Sequence, residues 1–421
     1  MIILLSLILS FNLIYAHKIF KDWVAPPLLL GYGMFAASLM AILYYNEWQM
    51  SSMFFISVLI LGGGPLLFTI ICKNFNKQGL HSFIKYNIDI SKLKNPLIVL
   101  NLLAVINIIL KIKLYQNAFG SFLNFSELIF AARMDAWSGE NTFRFPQIVI
   151  WITAISTYFS YISTWLLAYC FITKQKENRI IKQLALIHLF IVSFDGLLYG
   201  AKGSMIDPWV RLCVIYMLMR GTLPISKKIL TRMIFVSVLF ILCFKSLTAL
   251  LGRDVEGKNN IDMFAVYCGA QIKNFDLYMH GEKIRQDSKL WGTNTFNSFY
   301  VEQNLKDAAD DWAFQTIGKY SLGNVYTQYA SFHLDFGVLG VVMITILMAI
   351  ISMFFYKRAL LDTKKINIFL LLYSELGYCL LMSFFSSNFT NYIFRIGYLK
   401  AVFYICLFTF LTNKYLIKIK S

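Results

Sequence analysis

An all-α, polytopic membrane protein is the fold class this sequence predicts, and three observations predict it. Apolar side chains make up 58% of the 421 residues and charged ones only 14%, whereas a soluble globular protein carries about a quarter charged residues. A water-soluble fold has no way to hide that much apolar surface. Charge-free stretches such as Val24 to Tyr45, Met53 to Cys72 and Gln147 to Thr173 reach about 20 residues or more, enough at about 1.5 Å per residue to cross a hydrocarbon core of about 30 Å. The third observation is where the basic residues fall. Six short segments (17–23, 73–95, 173–182, 220–232, 357–365 and 414–421) hold 22 of the 39 Lys and Arg but only four acids, and the rest of the chain nets −1. Basic segments of this kind between apolar runs are cytoplasmic loops under the positive-inside rule. The net charge of +17 therefore marks one membrane face and does not call for a nucleic-acid partner.

The elements follow in order. The run 1–16 has no basic residue within it, and Lys18 and Lys21 come after it, which favours a retained first helix with its N-terminus outside over a cleaved signal peptide. Further spanning helices are expected at 24–45, 52–72, 96–112, 147–172, 181–199, 208–219, 230–251, 324–356, 366–387 and 392–413, about eleven in all. Alternating faces then put every basic segment inside and the C-terminus in the cytoplasm. The short run after Pro208 is kept as spanning, because a re-entrant segment there would turn everything downstream against the charge rule. Two long segments are expected on the outer face, 113–146 and 252–323, and both exceed what a connection needs. Within the second, Ile261 to His280 is partly amphipathic and is expected to lie along the outer interface. No repeat, linker or soluble domain is evident, so 1–421 reads as a single transmembrane domain. Of seven cysteines only Cys268 falls in an external loop, so no disulfide framework is available there.

Three patches carry candidate chemistry. Tyr199-Gly200-Ala201-Lys202-Gly203-Ser204 closes one helix outside, and Arg211 stands just inside the next. A cation within a membrane segment is costly, so Arg211 must snorkel, bind a ligand, or pair with Asp207 or Asp195. Arg253-Asp254 ends the helix that holds Lys245, and Arg133, Arg144 and Arg395 are also expected outside. Arginines of this kind suit a diphosphate, whose oxygens accept paired charge-assisted bonds, although surface or headgroup charge is the plainer reading for each. The third patch is Gly323-Asn324-Val325-Tyr326-Thr327 followed by His333-Leu334-Asp335-Phe336-Gly337-Val338-Leu339-Gly340. Its apolar run is longer than one bilayer crossing, so a bend is expected at Gly337 and Gly340. Asp335 or His333 near the outer rim is then a candidate general base, unless the carboxylate caps a helix or pairs with an arginine.

That third patch resembles the late signature of O-antigen (Wzy-type) polymerases, Asn-x-Tyr-Thr followed by Asp-Phe-Gly-x-x-Gly at the head of a spanning helix. Ala131-Ala132-Arg133 and Gly200-Ala201-Lys202-Gly203 before Arg211 look like that family's other basic positions, although the family commonly has arginine where this chain has Lys202. A lysine keeps the charge and gives up the planar fork. The resemblance implies a metal-independent, inverting glycosyltransferase in the bacterial inner membrane, needing no cofactor, that joins undecaprenyl-diphosphate-linked oligosaccharide units on the outer face. It implies Lys202, Arg211, Arg253 and further Arg133 or Arg395 at the diphosphate, Asp335 ahead of His333 as proton acceptor, and Asn324, Tyr326, Trp291 and Trp312 toward sugars. A flippase and a chain-length-regulating co-polymerase are the partners it implies, besides membrane lipids.

Other chemistries are weighed beside it. Asp307, Asp310 and Asp311 are acidic enough for a metal but read better as a solvated helix face, and His and Cys are too scattered for zinc. Glu375 and Lys400 lie near mid-helix in neighbouring spans and are expected to pair, or alternatively to serve ion-coupled transport. An O-antigen ligase would share the layout and the donor, while a lipid-oligosaccharide flippase would not need the long 252–323 segment.

Overall fold

A computed structural model describes residues 1–75, 88–121, 123–138, 143–175, 178–200, 202–221, 231, 238, 241–252, 259–282, 291–305, 312–318, 320–361 and 365–419. Among these residues, fifteen α-helices account for most of the chain: α1 Ile2–Phe20, α2 Pro26–Leu43, α3 Phe55–Phe75, α4 Lys94–Phe119, α5 Phe125–Ser138, α6 Gln147–Thr173, α7 Arg179–Leu197, α8 Lys202–Arg220, α9 Phe244–Leu250, α10 Asn260–Met279, α11 Asn297–Glu302, α12 Gln328–Ala359, α13 Ile368–Leu381, α14 Asn388–Ile393 and α15 Ile396–Leu411. Eight helical stretches are long and apolar enough to cross a membrane, namely α1, α2, α3, α4, α6, α7, α12 and the stretch from Ile396 to Leu416. The chain is thus a helical membrane protein. Helix α13 with the turn after it is apolar but shorter, α8 carries Lys202, Asp207 and Arg211, and the expected span 230–251 lies partly outside the described residues.

The surroundings of these helices can be read from which side of them is polar. On α4 the apolar Val99, Leu102, Ile106 and Ile109 are exposed, while Asn107 and Lys111 are buried. Their partners lie on neighbouring helices, with the Asn107 amide on Thr153 at 2.9 Å and the Lys111 ammonium on Asp195 at 2.7 Å. The same inversion marks α1, where Ile3, Leu7, Phe11 and Ile14 face outward at helical spacing and Asn12 is buried. A surface of this kind is stable against lipid and not against water, because polar groups gain partners only inside the bundle.

Described parts of the basic segments 17–23, 73–95, 357–365 and 414–421 gather at one end. Strand β1 (Ile88–Asp89) pairs antiparallel with β4 (Lys418–Ile419), Lys365 bonds the Asn413 carbonyl, and the Tyr356 hydroxyl donates to Asp22. Helices α4, α7 and α8 run from that end to the other, where the described parts of 113–146 and 252–323 lie.

Within segment 252–323, helix α10 packs on α2, with Gln271, Lys273, Asn274 and Asp276 all buried. Each of these polar side chains finds a partner inside the fold. Asp276 accepts from the Phe54 N–H and the Ser57 hydroxyl, both at 2.9 Å, and from Lys273 at 3.3 Å. The Asn274 amide donates to the carbonyls of Leu322, Gly323 and Val325. Those bonds hold the end of β3 (Tyr320–Gly323), which pairs with β2 (Gln315–Ile317). An amphipathic pattern says only that a helix has two faces. Here the polar face turns inward because it is bonded there.

Helix α12 bends where expected. Gly337 has φ 65° and ψ −159° within it, a left-handed φ that suits glycine alone. The first turns, which carry His333 and Asp335, are thereby set off from the apolar part that follows.

Close packing of α10 on α2 depends on Gly269, where an added methyl would lie 2.6 Å from Met40 Cβ and 3.2 Å from the Ala37 carbonyl oxygen. Gly269→Val is expected to destabilise the protein by about 1–3 kcal/mol, the usual cost of overpacking, seen as a lower melting temperature in detergent. Gly63→Ala, with nothing within 4 Å of the new methyl, is the control and should melt no lower than wild type.

Candidate functional site

At the end of the bundle away from the basic segments, the two long segments close over a cavity of about 1210 Å³, larger than the few hundred Å³ that hold a drug-sized ligand. Helix α5 supplies Arg133 and Asp135 to its wall, the α7–α8 turn supplies Tyr199, Gly200 and Lys202, and α9 supplies Phe244 and Thr248. Asp262, Met263, Val266 and Tyr267 line it from α10, Tyr320 to Val325 from β3 and beyond, and Tyr378, Met382, Ser386 and Asn388 from the end of α13 and the turn after it.

Lys202 opens α8 and is only 3% exposed. Its ammonium bonds the Thr248 hydroxyl at 2.7 Å and lies 4.0 Å from the Phe244 ring centre and 4.8 Å from that of Tyr267. Aromatic faces and a hydroxyl contact the cation at the cavity wall. Arg133 crosses Gly200, where a Cβ would lie 3.1 Å from its Cδ. Gly200 has φ 67°, so both the turn and the close approach call for glycine.

A second wall is aromatic. Tyr115 stands 5.0 Å from Phe145 and 5.3 Å from Phe143, ring centre to ring centre. Tyr199 covers the Lys111 ammonium at 4.8 Å. Flat apolar faces of this kind suit sugar rings or an isoprenoid tail. Cys268 offers no thiolate here, since burial pushes its thiol up to about 12.

Of the residues expected at a site, Lys202, Arg133 and Asn324 line the cavity. Arg253 lies outside the described residues, as do Asp254, Asp307, Asp310 and Asp311. The others are placed elsewhere, each for a visible reason. Arg211 is 1% exposed and sits in the bundle, bonded to Asp207 at 2.9 Å and Ser160 at 3.3 Å and stacked 3.8 Å over the Tyr161 ring. Glu375 lies 3.5 Å from it and accepts from the Tyr161 hydroxyl. The expected Glu375–Lys400 pair is therefore replaced by Glu375–Arg211, and Lys400 is exposed. Asp195 takes Lys111 instead of Arg211. Arg395 stacks on Tyr392 at 4.4 Å.

Asp335 and His333 also fall outside the lining. The Asp335 carboxylate accepts the N–H groups of Asn294 and Thr295 and the Asn294 amide, at 3.0, 2.6 and 2.6 Å, and so ties residues 294–295 to the head of α12. His333 Nδ1 lies 2.9 Å from the Tyr278 hydroxyl. Tyr326 is buried and donates to the Ala313 carbonyl, with Trp312 packed on its ring at 4.9 Å. Trp291 is 75% exposed and leans on Phe336. None of these residues is among those lining the cavity.

Sequence reasoning passed over Asp262, Asp135, Tyr267, Thr248 and the aromatic wall. The cost of a cation within an apolar run, applied to Arg211, also singles out Lys111. Nothing local marks Asp262 except its place three residues after Asn259, which caps α10 by accepting its N–H. Comparison with protein-family models, with curated proteins and with solved structures returns no match to this chain.

Removing Arg211 leaves Glu375 and Asp207 buried without their cation. Arg211→Met is expected to cost about 3–5 kcal/mol, as for other broken buried pairs, read as a fall in melting temperature. Lys400→Ala should change stability by no more than about 0.5 kcal/mol.

Proposed function

We propose that the chain is a membrane glycosyltransferase that polymerises undecaprenyl-diphosphate-linked oligosaccharide units within this cavity, in the manner of an O-antigen polymerase. The observation that carries this reading is the meeting of Lys202, Arg133 and Asn324 in one cavity. They come from three separate patches of sequence, and each patch was singled out for its resemblance to that family. The basic end faces the cytoplasm on this reading, as the positive-inside rule demands, and the cavity opens on the outer face of the bacterial inner membrane.

The chemistry has a simple electrostatic demand. As the bond from the anomeric carbon to phosphate breaks, charge grows on the leaving diphosphate. Lys202 and Arg133 meet it from walls formed largely of aromatic and aliphatic groups, where such stabilisation is worth more than in water. Because the diphosphate itself activates the sugar, no nucleotide is required. Aromatic faces at Tyr115, Phe145 and Tyr199 support the sugar or lipid parts of the substrate. A ligase would use the same donor and differ in its acceptor, and a flippase would move the unit without elongating it.

Reconstitution in liposomes with the lipid-diphosphate-linked repeat unit tests this. Wild type is expected to give a ladder of longer lipid-linked products on a gel. Lys202→Ala and Arg133→Ala should each slow elongation by at least about tenfold, the loss expected for one charge-assisted bond. An unelongated substrate that is accessible to folded wild-type protein would reject the polymerase.

A further inference from the structure

The cavity contains cations for a leaving group, yet the residues expected to accept the acceptor's proton lie elsewhere. Among the described residues the lining has two carboxylates, Asp262 and Asp135. We infer that Asp262 is the proton acceptor of the transfer, an inference that rests on the glycosyltransferase reading above.

Asp262 stands in the first turn of α10, on the helix face that lines the cavity with Met263, Val266 and Tyr267. It is half-buried. One carboxylate oxygen accepts the Tyr44 hydroxyl and the other accepts the Asn259 side-chain amide at 2.8 Å, while its own N–H returns to the Asn259 side-chain oxygen at 2.6 Å. The carboxylate is thereby fixed in direction with an acceptor site left on each oxygen, since an ionised carboxylate has about four. Tyr44 is fixed in turn, stacked on Trp48 at 4.9 Å and meeting Tyr320, another lining residue, edge to face at 6.2 Å. A phenol is protonated at neutral pH, so Tyr44 donates to the carboxylate and holds its direction.

Position distinguishes Asp262 from Asp135. Inversion at the anomeric carbon needs the attacking hydroxyl and the leaving diphosphate on opposite sides of the sugar, so base and cation must stand apart by the scale of a sugar ring. In inverting glycosidases the two catalytic groups lie about 6.5–9.5 Å apart for a related reason. Asp262 precedes Tyr267, the ring that covers Lys202, by five residues, about 7.5 Å along a helix axis. Asp135 instead lies two residues from Arg133 on one helix, and it accepts the Phe143 N–H at 3.2 Å, which ties down its own loop.

In the step itself, the acceptor sugar's hydroxyl oxygen forms the bond to the anomeric carbon of the growing chain. The bond from that carbon to the diphosphate oxygen breaks, and its electron pair leaves with the lipid diphosphate. The hydroxyl proton passes to Asp262 and then to water. No oxidant, reductant or metal enters the balance.

The test uses the full chain in liposomes with the same lipid-linked substrate, comparing Asp262→Asn, Asp262→Glu, Tyr44→Phe and Asp135→Asn. Asp262→Asn is expected to lower the rate at saturating substrate by about 100-fold or more, the usual worth of a general base, with KM unchanged. Binding of undecaprenyl diphosphate, read as its shift of the melting temperature, should also be unchanged. The loss of rate on the acid side of the pH profile should vanish in Asp262→Asn, persist in Asp262→Glu at a reduced rate, and move in Tyr44→Phe. Retention of wild-type rate by Asp262→Asn, or loss of the acid limb in Asp135→Asn instead, overturns the inference and leaves the glycosyltransferase standing. A wild type that makes no ladder removes both. If Asp262→Asn does not fold, an Asp262→Glu profile without an acid limb overturns it equally.

Discussion

A charge placed inside an apolar bundle has to be matched inside that bundle, and the arrangement of this protein follows from that constraint. Lipid offers no hydrogen bonds, so the buried charges of this bundle recruit partners from neighbouring helices. Lys111 joins α4 to α7 through Asp195. Arg211 joins α8 to α13 through Glu375 and to α6 through Ser160. Asp276 joins α10 to the start of α3. Apolar contacts alone are weakly directional among helices already surrounded by hydrocarbon. These polar joints choose which faces meet, and losing one side of a joint is worse than never having made it.

The cavity is a consequence of the joints. Helices α4, α7 and α8 bring Tyr115, Tyr199 and Lys202 to one end of the bundle, and the two long segments are drawn over them by bonds of their own. Asn274 grips the carbonyls of Leu322, Gly323 and Val325 at the end of β3, which sets Asn324 at the wall. Asp335 grips residues 294–295 from the head of α12, and the break at Gly337 lets that head tilt away from the part of the helix that follows. The Asp335 carboxylate thus binds residues 294–295, which lie outside the cavity's lining, while Lys202, Arg133 and Asn324 lie within it.

Within the wall, charge is divided by position. Two cations and two carboxylates face the space, and Lys202 is held by aromatic faces and a hydroxyl. Arg211, by contrast, is bonded to two carboxylates within the bundle and holds helices together.

Much of the architecture was legible in the residues themselves. Long charge-free runs and the clustering of lysine and arginine predict a helical membrane protein, because the thickness of a bilayer and the cost of burying charge act on each segment separately. The bend at Gly337 was equally local. The site was legible only in part: Lys202, Arg133 and Asn324 reach the cavity, while Asp335, Arg211 and Tyr326 turn to structural partners. Local sequence shows that a buried charge needs a partner but not which one, since Glu375 is as near Lys400 along the chain as it is remote from Arg211. Nor does an amphipathic pattern say which face of α10 turns inward, or that this turns Asp262 into the cavity. Those choices belong to the tertiary structure, because partner, depth and facing are set by helices that are distant in sequence and meet only when the bundle closes.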